Sequence, residues 1–376
     1  MRAHTRATYR DPVRGAWRWG VCALVVAVLV ALPFAVRYAP VSVPDAAPVA
    51  LLARIQASAT KPYAGYAEST GALALPTTDQ LDDVATLLSG RTQIRVWWRS
   101  GTDWRADSIT PAGEHSTRTT AAGTLVWDYE DNRVLASPPM PDGTARVPRD
   151  ADTLPPLLAA RMLSDAQPDE LTSLAPRRVA GRPADGLSLR PSDPLSSVGR
   201  VDVWADESSG IPVLVEVYGR VGEVAALAST FLDFTDVAPD AGDFAFTAPP
   251  GARTRFTQGF DLVRDVARSG GPLPPATLLG YPRSGPTAGE TTIGEYGRGV
   301  TQVAVGALPD RQAGSLRDAL RLAIGARQLP EGIVVGVGPL GLLLTTSRGG
   351  YSWLVAGTVT PDGLARAATE LAGAAS

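Results

Sequence analysis

The sequence predicts an α+β fold: a curved antiparallel sheet or half-open barrel with helices on one face, followed by a small α/β C-terminal domain. Three observations predict it. Short runs of alternating apolar and polar residues are separated by turn residues at intervals of about eight to twelve positions. The few segments with helical spacing interrupt these runs without a regular βαβ alternation. The chain of 376 residues is 44% hydrophobic and 19% charged, enough to bury more than one core.

The first elements concern the membrane. Arg2, Arg6, Arg10, Arg14 and Arg18 precede an uncharged apolar run from Gly20 to Val36. That length is near the lower limit of a span, roughly 17–25 residues, and exceeds a typical signal-peptide core. Trp17 and Trp19 sit where an interfacial aromatic belt belongs, and the arginines set the N-terminus in the cytoplasm. No small-residue cleavage site directly follows the run. The reading is a cytoplasmic tail (1–19), a transmembrane anchor (20–36) and a Pro/Ala tether (37–47), with the rest outside the cytoplasm. The alternative is a protein secreted after signal cleavage. Cys22, the single cysteine, opens the apolar run and does not close it, so it reads as a small apolar residue and not as a lipidation site. The exported part then has no disulfide and rests on its cores.

Residues 48–250 form the predicted half-barrel. Val49, Leu52 and Ile55 have helical spacing, and the strand-like YAGYAESTGALAL (63–75) follows. QLDDVATLL (80–88) is a short amphipathic helix. TQIRVWWRS (92–100), TDWRADSI (102–109), EHSTRTT (114–120), TLVWDYE (124–130) and RVLASP (133–138) read as a meander. TLPPLLAARML (153–163) restores helical spacing, with prolines tolerated in its first turn. RRVAGRPADGLSLRP continues the strand-like runs and precedes the hairpin VDVWADESSGIPVLVEVYG (201–219), whose SSGIP turn leaves Gly210 free to take a positive φ. STFLDFTDV and DFAFTAPP close the region. Residues 251–289 read as a linker with a short helix at FDLVRDVARS. The C-terminal domain (290–376) carries strands at 299–308, GIVVGV, LGLLLTTS and YSWLVAGTV. Its helices are SLRDALRLAIGA (315–326) and the terminal one, which begins at Thr360-Pro361-Asp362 with a cap, a proline and an acid suited to the dipole.

Alternation assigns faces. Ile94, Val96 and Trp98 share one face of their strand. Leu125, Trp127 and Tyr129 share another, as do Val203, Val215 and Val217 in the hairpin, and Leu232 with Phe234. These eleven residues are the candidate lining of an inner face. That face is either a core filled under helices or an apolar cavity that accepts an acyl chain, and alternation alone does not separate the two.

Several chemistries are disfavoured. Net charge is −3 with no basic stripe, so nucleic acid is not an expected partner. Of the two histidines only His115 lies beyond the tail, and no G-x-S-x-G elbow exists for a Ser-His-Asp arrangement. Zinc ligands are lacking. Glu114, Asp128, Glu130 and Asp131 read as solvated hairpin-end acids. Gly336-Val337-Gly338-Pro339-Leu340-Gly341 fits G-x-G-x-x-G literally. A strand follows where a dinucleotide site needs a helix, and Pro339 removes an amide, so a hairpin turn is the reading. No metal, cofactor or catalytic residue is expected.

The region 48–250 resembles the LolA/LppX/RseB group of bacterial exported proteins. The resemblance rests on the leading helix before YAGYAESTGALALP, on RVWW, and on TLVWDYEDNRVLASPP. It rests further on VDVWADESSGIPVLVEV, where a Trp and Asp precede a Gly-x-Pro, and on FLDFTDVAPDAGDFAFTAPPGA. The resemblance implies an incomplete barrel with a helical lid and an apolar cavity. It implies either carriage of lipids or acylated proteins, or regulation through a protein partner such as an anti-sigma factor. RseB-like members carry a second small domain, which suits the C-terminal unit. The arginine-rich composition, with Lys61 as the single lysine, suggests a high-GC actinobacterial member.

Overall fold

The computed structural model describes residues 47–73, 82–110, 113–139, 148–248, 250–256, 271–284 and 293–374. The predicted tail, anchor and nearly all of the tether lie outside the described residues, as does the predicted helix FDLVRDVARS. Among the described residues no helix is long and apolar enough to cross a membrane. Residues 43–376 form one compact unit.

Alternation along the chain yields a twelve-stranded sheet. Its strands are β1 (Tyr63–Gly71), β2 (Arg91–Ser100), β3 (Asp103–Thr110), β4 (Gly113–Thr120), β5 (Gly123–Asp128), β6 (Arg133–Ser137), β7 (Leu171–Val179), β8 (Arg182–Leu189), β9 (Val198–Asp206), β10 (Pro212–Gly219), β11 (Leu227–Thr235) and β12 (Arg253–Phe256). The order across the sheet is β12-β6-β5-β4-β3-β2-β1-β11-β10-β9-β8-β7. Every neighbouring pair is antiparallel except β12 with β6. β7 and β12 do not pair with each other, so the sheet stays open. Among the described residues three α-helices accompany it: α1 (Pro48–Ala57), α2 (Asp82–Ser89) and α3 (Pro155–Met162). Leu51, Leu52 and Ile55 of α1, with Leu158 and Ala159 of α3, pack on Leu187, Val203, Val215 and Val217 of one sheet face. Pro155 occupies the first turn of α3, where its missing N–H costs nothing.

The β9–β10 hairpin is closed by a single carboxylate. Asp206 is 1% exposed. It accepts hydrogen bonds from Arg182 Nε (2.6 Å), from the Ser208 and Ser209 hydroxyls (2.6 and 2.7 Å) and from the Ser209 N–H (2.8 Å). Gly210 takes φ +75°, and a Cβ there would sit 2.9 Å from the Arg54 carbonyl oxygen. The turn thereby docks on the end of α1, where Arg54 also donates to Asp185 and to the Glu207 carbonyl.

The second domain is a six-stranded sheet between two helices. Its strands are β15 (Ile293–Arg298), β16 (Thr301–Pro309), β17 (Arg327–Leu329), β18 (Gly332–Val337), β19 (Leu340–Thr345) and β20 (Tyr351–Gly357), in the order β15-β16-β20-β19-β18-β17. β13 (Thr277–Leu278) and β14 (Tyr281–Pro282) form a separate short hairpin. α4 (Asp310–Leu322) packs on Ile333, Val335, Leu342 and Leu344. α5 (Pro361–Ala374) packs on the alternate residues Val334, Leu343 and Val355. The expectation of a small α/β domain is corrected here: every strand pair in it is antiparallel, because the connections are hairpins except α4, which carries the chain from β16 to the opposite edge at β17, from where three hairpins bring it back to pair with β16. The stretch read as a linker is also structured in part. β12 joins the large sheet, and Leu278 and Leu279 enter the core of the second domain. Residues 338–339 are the β18–β19 hairpin turn, with Gly338 at φ +59°.

The two sheets meet at a built seam. The Ser197 N–H donates to the Thr358 carbonyl (3.0 Å) and the Thr360 N–H to the Leu195 carbonyl (2.9 Å). Arg298 donates to Glu170 and to the Asp165 carbonyl, both at 2.9 Å. Tyr281 donates to Asp193, and Val300 is buried in the α1–α3 core. Glu170 is 5% exposed. Burial alone would raise its carboxyl, but hydrogen bonds from the Ser192 and Gln167 amides, the Ser192 hydroxyl and Arg298 outweigh this and bring it down to about 2.

Candidate functional site

Residues opposite one another in an antiparallel pair share a face, so register decides which predicted lining residues meet. Tyr63 faces Trp98, and Trp98 faces Trp104. The three rings stack in series, with centroids 5.7 and 5.5 Å apart and planes inclined by 10° and 18°. Phe231 meets Tyr63 edge-on at 5.9 Å and Phe234 at 5.2 Å. Ile94, Val96, Trp98 and Phe234 all belong to this cluster, which Ala151 and Leu154 cover. Val203, Val215 and Val217 lie on the same sheet face beneath α1 and α3. These seven residues are between 0% and 6% exposed, packed against side chains of the helices and neighbouring strands.

The other four fall elsewhere. Trp104 pairs with Thr119 and Thr119 with Thr124, so Thr124 and Val126 share the Trp98 face, whereas Leu125 and Trp127 are on the opposite one. That opposite face is crossed by the chain after β11. Phe244 lies between the guanidiniums of Arg99 (5.1 Å) and Arg118 (4.7 Å), and Phe246 lies 6.1 Å from Trp127. Tyr129 is past the end of β5 and 57% exposed. Leu232 does not share a face with Phe234. The β1–β11 register shifts between Tyr66 and Ala67, whose partners are Asp233 and Phe231, so Leu232 is left unpaired. Such a bulge reverses the alternation beyond it. Phe231 and Phe234 are both buried, and Leu232 is 49% exposed.

Alternation in apolar residues could not find the polar groups on the helix-covered face. Thr92, Ser69 and Ser229 are cross-strand neighbours on β2, β1 and β11. Each is 1% exposed, and among the described residues none of the three hydroxyls has a hydrogen-bond partner. The Tyr63 hydroxyl and the Trp98 Nε1–H are likewise buried without partners. Burial pushes the Tyr63 hydroxyl far above the ordinary phenol range. A buried polar group left unpaired costs about 1–3 kcal/mol, so this face carries polar capacity that the fold does not use.

Catalytic constellations do not assemble here. Ser108, His115 and Asp128 are neighbours in register, but among the described residues no side-chain hydrogen bond joins His115 to either of the others. The Asp128 carboxylate instead accepts from Arg133 and from the Asp131 N–H. Among the described residues no group of three His, Cys, Asp or Glu side chains could hold a metal ion.

Fold and faces together define the class of this molecule as an open, helix-covered antiparallel half-barrel docked to a second sheet domain. No family model and no curated protein matches the chain. Among solved structures it is similar to the Pseudomonas aeruginosa MucA/MucB complex, at 18% identity over 85% of this chain and 95% of that chain, with a TM-score of 0.45. It is similar to MucB in complex with MucA(peri), at 17% identity over 85% and 97%, TM-score 0.45. It is also similar to a LolA superfamily protein from Nitrosomonas europaea, at 12% identity over 54% and 98%, TM-score 0.24.

Proposed function

We propose that this is a non-enzymatic, membrane-anchored extracytoplasmic protein that acts through a protein partner, with the half-barrel serving as a scaffold. The observation that carries this reading is the filled helix-covered face. Ile94, Val96, Val203 and Val215 are 0% exposed, and aromatic rings and helix side chains occupy the space a carrier would leave for an acyl chain. The seam supports it further, since a docked second domain adds protein surface without adding to that face. The sequence resemblance implies an anti-sigma factor as the kind of partner.

One observation favours a second reading, carriage of a lipid or an acylated protein. The hydroxyls of Ser69, Thr92 and Ser229 are donors that a ligand carbonyl would satisfy if the cover of that face opened. The substitution Val96→Trp separates the two readings. In a filled core it overpacks and costs roughly 1–3 kcal/mol, and the parent protein takes up no fluorescent fatty acid. Uptake by the parent, blocked by Val96→Trp with the unfolding midpoint preserved, would overturn the scaffold reading in favour of carriage.

A further inference from the structure

The ends of β8, β9 and β10 border a cavity of about 340 Å³ on the face of the hairpin near the seam. Its wall holds Arg190, Arg200 and Arg220, and Gly199 and Gly219 also line it. The opening has a local cause. The β9–β10 register slips between Tyr218 and Gly219. Gly199 lies so close to its neighbour that a Cβ would stand 2.5 Å from the Gly219 carbonyl oxygen. A bulge at a strand end re-aims the flanking side chains, here the two arginines that follow these glycines.

Two of the three guanidiniums are held in place. Arg200 donates through Nε to Asp202 (3.0 Å) and lies 3.6 Å from the Tyr218 ring centroid. Arg220 donates through Nε to the Ser196 carbonyl (2.5 Å) and through Nη2 to the Asp193 carbonyl (3.1 Å). A guanidinium has five N–H donors, so both retain donors beyond these bonds. Arg190 has no carboxylate partner among the described residues. Asp202, which also accepts from Ser188, neutralises one of the three charges. Two positive charges remain over a cavity at the lower end of the size range of small-ligand sites, about 300–1,000 Å³.

We propose that this pocket binds a phosphate group. A phosphate monoester carries about −1.5 to −2 charges at neutral pH, which matches the uncompensated charge. Its oxygens fit the fork of a guanidinium, and fixed donors lose little entropy on binding. The group is either free phosphate or the headgroup of a lipid, and two arms of one experiment distinguish them. The full chain in non-ionic detergent is titrated calorimetrically with inorganic phosphate, and in parallel with micelles doped with phosphatidic acid.

Saturable binding at one site per chain is expected. Arg190→Ala weakens it about tenfold and Arg190→Glu further, with the unfolding midpoint unchanged because Arg190 holds no ion pair of the fold. Tighter binding to doped micelles, competed by phosphate, identifies a lipid headgroup; equal affinity in both arms identifies free phosphate. Absence of saturable binding in both arms up to about 10 mM, or binding that Arg190→Glu leaves intact, would overturn the proposal.

Discussion

Asp206 collects five of the hydrogen bonds that hold the β9–β10 turn and its flank, counting both nitrogens of Arg182 and three donors from Ser208 and Ser209. Burial alone would raise this carboxyl. The bonds from Arg182, Ser208 and Ser209 outweigh burial and lower it from an ordinary 3.8 to about 2. A carboxyl depressed by folding contributes stability that is complete above its unfolded value near 4 and is lost as pH falls through about 2. At about 1.4 kcal/mol per pH unit, the contribution at neutral pH is roughly 2 kcal/mol. Asp206→Asn is therefore expected to lower stability by roughly that amount at pH 7 and to shallow its decline between about pH 4 and 2. Urea midpoints across that range measure both effects. Some acid sensitivity persists in the variant, because Glu170 titrates in the same window with the same sign.

At the level of single elements, β11 shows how one residue redirects a strand. Reading STFLDFTDV by strict alternation pairs Leu232 with Phe234, but the bulge opposite Tyr66 and Ala67 places Phe231 inward instead. Phe231 is 1% exposed between Tyr63 and Phe234, so Phe231→Ala is expected to cost roughly 3–5 kcal/mol. Leu232→Ala is expected to change stability by less than about 0.5 kcal/mol. Urea unfolding at constant m-value measures the pair, and a larger loss at Leu232 would restore the plain alternation. Most elements were legible because they depend on local pattern. The α3 prolines, the Gly210 turn and the alternate apolar residues of β18 and β19 all state their conformation within a few positions. Faces were legible only within a strand. Trp98 and Trp127 each sit in a plain alternating run, yet three strand connections with a shift near Ser100 decide that they face opposite ways.

For the molecule as a whole, the seam holds together two sheets whose sequences are separated by the stretch 251–289. Part of it is made by backbone amides and carbonyls of residues 195–197 and 358–360, which leave no mark in composition. Arg298 and Glu170 are the charged part, with side chains 38% and 4% exposed. Calorimetry of the full chain is expected to give one transition for both sheets. Arg298→Ala is expected to cost roughly 2 kcal/mol and to split that transition. This is below the roughly 3–5 kcal/mol of a fully buried pair because water reaches Arg298. Two separate transitions in the parent chain would mean that the seam does not couple the sheets. The arginine pocket was hidden for the same reason as the seam: Arg190 and Arg220 lie ten and twenty positions from Arg200, and the three meet where a bulge ends the hairpin.

The strand that enters first stands near the middle of the large sheet. β1 lies between β2, which soon follows it, and β11, whose residues 227–235 come more than a hundred positions later. During synthesis one edge of β1 therefore waits, with its N–H and C=O groups unpaired, until nearly two thirds of the chain has been made. Loop closure over that distance must precede the contacts that reward it, which slows folding. An apolar strand edge held open for that time is an aggregation hazard. The half-barrel thus carries a kinetic demand for a chaperone or for rapid delivery of its second half, set by strand order alone.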